Sequence, residues 1–483
     1  HWTCDGSPEF SLEPCDKTDR GTEIVLHVAE DSLEFLEESK IRELLNKYNK
    51  FMPIPIKFGT KTETLPKPED APEDYTAETI EVDNIINNPN PAWTKQPVDL
   101  KDEDYKNFYR ELYPMQFEEP LFHIHLNVDY PFNLTGILYF PKLGADLQIQ
   151  RDKIQLFQNQ VYVTDNVEGI VPEFLMMLRG VVDSPDIPLN VSRSGLQADG
   201  AVKKISNYIT RKVADKLKSL FNENRADFEA KWNDIKIVLE YGMLSEDKFY
   251  EKAGAFVLYP TVDDKYFTLE ELKEAIKENQ TDKDGKLVVL YAGNKEAQHS
   301  YIEIAKDKGY QVLLLDSPII PHLIQKLESD NSGLTFVRVD SDHIDNLIKK
   351  EETAISKLST EEQESLKTVV ETIVPKQTYT VQLEALDSSA APFIITQPEF
   401  MRRMKEMSQT GGGGMFGMGN FPEMYNLVVN TNSDLATSIL NNEDKTVQEN
   451  LVKQALDLAK LSQNLLKGEA LTAFVKRSFE MIK

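Results

Sequence analysis

The sequence has 483 residues, of which 40% are hydrophobic, so it is long enough for about three domains that each bury a core. Its formal net charge is −26, from 54 lysines and arginines against 80 aspartates and glutamates, which argues against nucleic acids and anionic membranes as partners. Two cysteines, Cys4 and Cys15, are typical of a reducing cytosol. With no apolar run of 18 residues and no charged-then-apolar leader, the sequence predicts a cytoplasmic protein without a membrane span.

Residues 1–58 are expected to be the end of a preceding domain. Strands are predicted at Phe10–Leu12 and Glu23–Val28, and apolar residues at helical spacing predict a helix from Ser32. Two strands and one helix make a small core. Because the chain also starts with histidine and not methionine, we interpret it as part of a longer protein.

Residues 59–83 differ in composition from their surroundings. Between residues 61 and 83 there are eight acidic side chains against two lysines, three prolines and few apolar residues. Such a segment buries too little apolar surface to order itself. We therefore interpret it as a flexible acidic linker.

The pattern of residues 84–240 predicts the larger of two parts of the chain in which helices and a sheet form αβα layers. Helices are predicted near residues 105–112, 198–221 and 227–239. The predicted strands, which would form a mixed sheet, are Leu121–Val128, Leu134–Phe140, Ile154–Phe157 and Val161–Val163.

Residues 241–358 predict a helical connector followed by a smaller αβα unit. Three short apolar runs, LVVLYA, QVLLLD and TFVRV, are separated by helix-length segments, which is typical of a small parallel sheet. No GxGxxG or GxxxxGK[ST] turn follows any of these runs, so the pattern favours a structural unit over a nucleotide site.

Residues 359–483 predict an α+β domain. A helix, two strands, a methionine-rich helix, a further strand and terminal helices follow one another. The last two helices are amphipathic and lie at a chain end, which favours self-association into a four-helix bundle. Packing of the same faces on the preceding strands is the alternative. The fold class is thus a multidomain chain of α/β and α+β parts.

The stretch Gly180–Gln197 is a proline-braced loop that holds one arginine. Pro185 and Pro188 prevent a regular helix, and Arg193 follows just before a long helical pattern. A guanidinium held at a fixed angle suits phosphate chemistry. A surface arginine in an ordinary salt bridge is the other interpretation.

A methionine stripe runs along the helix at residues 400–407. Met401, Met404 and Met407 fall near one face, and the helix continues into a tetraglycine segment with Phe416 just beyond it. The stripe can pack inward as a flexible gap-filler, or it can form an adaptable apolar surface that holds varied polypeptides.

His123 and His125 alternate on a predicted strand and share one face. A zinc site needs further ligands, and neither CxxC nor HExxH accompanies them. Ordinary sheet packing is the favoured interpretation, and no metal site is predicted.

Five stretches of the chain resemble the 90-kilodalton heat-shock chaperone family, in its bacterial branch. The matching stretches are RGTEIVLHV, PAWTKQP, EEPLFHIHLNVDYPFNLTGILYFPK, VPEFLMMLRGVVDSPDIPLNVSRSGLQ and GYQVLLLDSPI. The resemblance implies the C-terminal remnant of an N-terminal ATPase domain in residues 1–58. After the linker it implies a middle domain in residues 84–358 and a dimerisation domain in residues 359–483.

The family resemblance implies an ATP-dependent chaperone that binds unfolded or partly folded client proteins as a clamp dimer. It implies ATP with Mg²⁺ as cofactor of the full-length protein, a homodimer formed through the C-terminal helices, and a DnaK-type chaperone system as a further partner. The family's nucleotide-binding elements precede the matching stretches. We therefore expect the full-length protein to be an ATPase and this part alone to be inactive, with no cofactor bound.

The resemblance also assigns individual residues. The family's middle-domain arginine, which reaches the ATP γ-phosphate, corresponds to Arg193, and the glutamine of the same loop corresponds to Gln197. Ser194 and Gly195 depart from the family pattern, and glycine there loosens the loop.

We select five candidate residues for client contact. They are Trp93, Met401, Met404, Met407 and Phe416.

Two other functions remain open. Gyrase B and MutL-type proteins share the split ATPase design but act on DNA, normally use a lysine on this loop, and need a basic surface that the charge of −26 does not favour. An ATP-independent holdase or scaffold is the second alternative.

Overall fold

The computed structural model describes residues 1–65, 78–142, 153–188, 200–349, 354–410 and 424–482. The chain forms two compact units, one of residues 1–91 with 157–163, and one of residues 92–156 with 164–483. Each unit is described by itself below. The finer domain division drawn from the sequence stays a prediction.

The first unit contains two β-hairpins and one α-helix. A 3₁₀ helix at Glu30–Leu36 precedes the α-helix. The elements are β1 (Trp2–Cys4), β2 (Phe10–Leu12), α1 (Glu38–Tyr48), β3 (Lys57–Thr64) and β4 (Thr79–Ile85), with β1–β2 and β3–β4 paired antiparallel.

One prediction for this unit is wrong. Glu23–Val28 is not a strand, and Ile24, Val25 and Leu26 are 68–80% exposed, because no strand pairs with this segment in the described residues. The two ends of the acidic segment lie in the hairpin of β3 and β4, in which Thr62 lies opposite Glu81 and Thr64 opposite Thr79, and the assignment of residues 59–83 as a linker stays a prediction. Backbone pairing orders residues whose side chains bury little surface.

A helix and a five-stranded sheet follow in the chain. The elements are α2 (Asp102–Leu112), β5 (Phe122–Val128), β6 (Leu134–Phe140), β7 (Ile154–Gln158), β8 (Val161–Thr164) and β9 (Arg179–Asp183). The strand order is β5-β6-β9-β7-β8, and β6 pairs antiparallel with both neighbours. The predicted strands are confirmed. All five residues of β9 are buried, which places this strand inside the core.

Three helices and a small sheet follow. The helices are α3 (Gly200–Glu223), α4 (Arg225–Ser245) and α5 (Asp247–Ala253). The next elements are β10 (Tyr259–Pro260), β11 (Tyr266–Phe267), α6 (Leu269–Ile276), β12 (Leu287–Ala292), α7 (His299–Asp307), β13 (Val312–Leu314), α8 (Ile320–Asp330), β14 (Leu334–Arg338) and α9 (Ile344–Leu347).

The predicted small parallel unit is confirmed. Strands β13, β12 and β14 are parallel and lie side by side in that order, with β12 in the centre. Helix α6 begins with a capping box between Thr268 and Glu271, which satisfies the first free amides of the helix.

The C-terminal part combines three strands with helices. Its elements are α10 (Thr360–Ile373), β15 (Tyr379–Glu384), β16 (Phe393–Thr396), α11 (Glu399–Thr410), β17 (Tyr425–Asn430), α12 (Asp434–Asn441), α13 (Lys445–Ser462) and α14 (Gly468–Ile482). Strand β17 lies between β15 and β16, parallel to β15 and antiparallel to β16. Leu366 of α10, Leu427 of β17 and Val452 of α13 meet in the buried core of this part.

Candidate functional site

The predicted phosphate-contacting loop is described only at its two ends. Arg193 and Gln197 lie outside the described residues. One end of the loop is β9 with the turn that follows it, and the other is α3. Helix α3 is anchored by Ile205, Ile209 and other side chains that are fully buried.

The first end of this loop is held by close backbone packing. Gly180 has φ +131°, and a Cβ atom at this position would lie 2.0 Å from the carbonyl oxygen of Ile137. The amide of Gly180 donates to the Tyr113 hydroxyl at 2.7 Å, and Arg179 donates to the Tyr109 hydroxyl at 2.6 Å. Only glycine fits between β6 and β9 here, so the strand leading to the loop is firmly placed.

The turn after β9 is pinned by hydrogen bonds to distant residues. The Ser184 hydroxyl donates to the Asn133 carbonyl at 2.5 Å, and the Asp186 carboxylate accepts from the Asn133 amide at 2.6 Å. These bonds extend the support of the loop to Asp186.

Trp93 belongs to the same support, which corrects its assignment to client contact. The side chain is 0% exposed, its ring packs on Phe108, and its indole Nε1 donates to the Asp183 carboxylate at 3.2 Å. A client polypeptide cannot reach a side chain inside the core. Trp93 therefore positions the end of β9.

His123 and His125 pack around one tyrosine. The His123 ring stacks on Tyr105 with centroids 3.6 Å apart, and the Tyr105 hydroxyl lies 2.9 Å from His125 Nδ1. Burial lowers the pKa of His123 to about 4, so this ring is neutral near pH 7. Within the described residues no group of three His, Cys, Asp or Glu side chains is arranged to hold a metal.

Helix α11 turns an apolar face towards solvent. Phe400 is 72% exposed and Met404 is 42% exposed, while Met401 and Met407 are half-buried. Phe416 lies outside the described residues. The structure therefore brings the methionines together on one accessible helix and adds Phe400, which was not selected from the sequence.

The opposite face of α11 carries charged side chains that pair with one another and of which Arg402 is buried. Arg402 is 3% exposed, donates to Glu406 Oε2 at 2.5 Å and to the Tyr291 hydroxyl at 2.5 Å, and also contacts Glu399. Burial disfavours the charged form of Glu399, but Arg402 and Arg403 outweigh this effect and lower its pKa. Glu399 is therefore ionised at neutral pH.

The same network ties α11 to the small parallel sheet. Arg403 binds Glu328 of α8 at 2.8 Å and Glu399 at 2.6 Å. Arg338, at the end of β14, binds Asp340 at 2.5 Å and Glu406 at 3.0 Å. Buried charges of opposite sign thus fix which face of α11 points inward.

A sequence signal for this network existed. Glu399, Arg402, Arg403 and Glu406 are spaced at i, i+3, i+4 and i+7, so they share one helix face just as the methionines do. Periodicity showed that the two faces differ. Which of the two faces packs inward depends on Glu328 and other partners far away in sequence.

The two terminal helices also expose apolar side chains. Helix α13 packs Val452, Leu456 and neighbouring residues on the core, which agrees with the alternative of packing on the preceding strands. Helix α14 buries Phe474 but leaves Val475 and Phe479 exposed at 42% and 65%. Its Arg477 binds Asp457 of α13 at 2.5 Å.

Among the described helices, none has the length and apolar character required to cross a bilayer.

Comparison with known proteins gives consistent matches over most of the chain. The family model described as Hsp90 protein matches residues 67–460. Chaperone protein htpG of Bacteroides fragilis is 48% identical, with 100% of this chain and 79% of that protein covered. Chaperone protein HtpG of Porphyromonas gingivalis is 52% identical, with 95% and 66% covered. Chaperone protein HtpG of Myxococcus xanthus is 31% identical, with 66% and 48% covered.

The buried network predicts that Arg402 determines the docking of α11. Replacing Arg402 with alanine leaves Glu399 and Glu406 short of a buried partner, which we expect to reduce the free energy of local opening of α11 by about 3 kcal/mol. Hydrogen exchange of the α11 backbone amides measures this loss.

The control is Lys453→Ala, which removes an exposed ion pair with Glu449 on α13. Its cost should stay below about 0.5 kcal/mol. Equal, small effects of both substitutions would show that the network does not hold the helix.

Proposed function

The chain belongs to the Hsp90 protein family, and on this premise we propose that it is part of an ATP-dependent chaperone that binds and remodels client proteins as a cytoplasmic clamp dimer. The clients are unfolded or partly folded polypeptides. The observation that carries the proposal is the packing of α11, in which Arg402 is buried among charged partners while Phe400 and Met404 are exposed.

The apolar face of α11 is suited to polypeptides of varied sequence. Amphipathic helices normally place their apolar face on the core, so an outward apolar face needs an explanation. Flexible methionine side chains adapt to differently shaped partners. Phe400, Met401, Met404 and Met407 together supply this adaptable surface, which we call the α11 surface.

The α11 surface predicts a loss of client binding on polar substitution. In Phe400→Gln and Met404→Gln, each lost apolar contact of about 1 kcal/mol should weaken binding of an unfolded model client about fivefold. Light scattering over a range of chain concentrations measures how well the chain suppresses client aggregation. This suppression should weaken together with client binding.

The matched controls are Phe117→Gln and Met115→Gln, which change side chains that are 94% and 80% exposed elsewhere. They should leave aggregation suppression unaltered. Equal effects at all four positions would contradict the assignment of the α11 surface. Suppression without nucleotide in the full-length protein would favour the holdase alternative.

We further propose that Arg193 acts in ATP hydrolysis in the full-length protein, with Gln197 on the same loop. Cleavage of the terminal phosphate spreads negative charge over its oxygens, and a positioned guanidinium stabilises that charge. Mg²⁺ bound with ATP would neutralise further charge. Support comes from the family membership and from the rigid placement of β9 and α3 on either side of the loop.

This role predicts that Arg193→Ala lowers ATP turnover of the full-length protein by on the order of 10²- to 10³-fold, while nucleotide affinity stays nearly unchanged. The affinity is spared because the arginine acts on charge that develops during cleavage. Steady-state ATPase assays and nucleotide titrations separate the two quantities.

The control is Arg211→Ala, on the exposed side of α3. It should retain full turnover. An unchanged turnover rate in Arg193→Ala would remove Arg193 from the mechanism, whereas an equal loss in both variants would indicate a disturbed helix.

We propose that homodimerisation uses α13 and α14. Leu458 and Leu461 of α13 and Val475 and Phe479 of α14 are 42–65% exposed, although both helices pack through other residues. Antiparallel helix pairs from two chains can cover such faces in a four-helix bundle. A DnaK-type chaperone system is proposed as a further partner on the family resemblance alone.

The dimer model predicts that Val475→Asp combined with Phe479→Asp produces monomers, because each buried carboxylate would lack a partner at the interface. Sedimentation velocity at micromolar concentration reports the change in mass. The control Val98→Asp alters a side chain that is 91% exposed outside these helices, and it should sediment like the parent chain. A dimer that persists in the double variant would refute this interface.

A further inference from the structure

The methionines of this chain are concentrated in and just after α11. Of the 12 methionines in the sequence, half lie within residues 401–424, namely Met401, Met404, Met407, Met415, Met418 and Met424. An apolar helix surface does not by itself require methionine, because leucine has a similar helix propensity and is as apolar. Methionine differs from leucine by its flexibility and by a sulfur atom that oxidants convert to the sulfoxide. The concentration of sulfur therefore points to redox chemistry at this helix.

The ion pairs of α11 keep Met404 in contact with solvent. Two positions along a helix correspond to about 160° around its axis, so Met404 lies almost opposite Arg402. Arg402 is buried and paired with Glu399 and Glu406. Because α11 cannot turn Met404 inward without breaking these pairs, this side chain stays 42% exposed and open to small solutes. Met243, in contrast, is only 2% exposed.

The bonds that attach α11 to the protein are made by other side chains. Arg403 reaches Glu328 of α8, and Glu406 reaches Arg338 at the end of β14. These ion pairs do not involve sulfur. A chemical change at the methionines therefore alters the outer face of α11 and leaves its attachment in place.

The reaction is the transfer of one oxygen atom from a peroxide to the methionine sulfur. The sulfur lone pair attacks one oxygen of hydrogen peroxide, the O–O bond breaks, an S–O bond forms, and the other oxygen leaves as water. The sulfur loses two electrons and the peroxide gains them. The sulfoxide oxygen is a polar acceptor, so its burial against an apolar client without a donor is unfavourable. In the reverse reaction, methionine sulfoxide reductase removes the oxygen as water while a dithiol is oxidised to a disulfide.

We propose that Met401, Met404 and Met407 form a peroxide-responsive modification site, where oxidation releases the client polypeptide and reduction restores its binding. The inference rests on the proposed function of the α11 surface. Met404 reacts first, because it is exposed whereas Met401 and Met407 are half-buried. The site makes the apolar surface of α11 reversibly polar without detaching the helix.

The test treats the full chain with hydrogen peroxide and removes the peroxide with catalase before an unfolded model client is added. Mass spectrometry of peptides measures the sulfoxide at each methionine, and light scattering measures suppression of client aggregation. We expect oxidation of Met404 to weaken client binding about fivefold, as replacement of this apolar side chain by glutamine does. Methionine sulfoxide reductase with dithiothreitol should restore the binding of the untreated chain.

The decisive variant carries Met401→Leu, Met404→Leu and Met407→Leu together. Leucine conserves the apolar surface and its approximate volume but cannot be oxidised, so this variant should bind the client before and after peroxide alike. The matched control is Met115→Leu, at a methionine that is 80% exposed in the chain between α2 and β5. This control should respond to peroxide like the parent chain. A full peroxide response in the triple variant would overturn the site.

Two further measurements separate this inference from other causes. Hydrogen exchange of the α11 amides should be the same before and after oxidation, and a loss of protection would show that oxidation unfolds the helix and overturn the proposed switch. If Met404→Gln weakens client binding but the oxidised chain binds like the untreated one, the modification site is refuted and the client surface stands. If neither change weakens binding, the client surface itself is refuted, and the switch with it.

Discussion

The buried guanidinium of Arg402 is the interaction on which the exposed apolar surface depends. Arg402 is 97% buried between Glu399, Glu406 and the Tyr291 hydroxyl. Rotation of α11 to bury its methionines would separate Arg402 from Glu399, Glu406 and Tyr291. Charged groups would then remain unpaired inside the protein or become exposed to solvent. An unpaired buried charge costs several kcal/mol, more than burial of one methionine contributes. Electrostatic pairing therefore outweighs the hydrophobic effect locally and keeps the apolar face in contact with solvent.

The ion network also attaches α11 to the small parallel sheet. Arg403 reaches Glu328 of α8, and Glu406 reaches Arg338 at the end of β14, so the helix is bonded to the small parallel sheet by side chains from two of its elements. A displacement of that sheet would have to break these pairs or carry α11 along. The α11 surface is thus tied to the small parallel sheet, and the proposed client contact would move with that sheet.

Prediction from sequence succeeded where a local pattern is sufficient. The continuous apolar run of β12 identified a buried parallel strand, because both faces of such a strand are covered. It failed for β3, whose threonines and charges are ordered by pairing with β4 and not by burial. The burial of Trp93 depends on Asp183, ninety residues away, and no local pattern reveals such a partner. The inward face of α11 depends in the same way on Glu328 and Arg338.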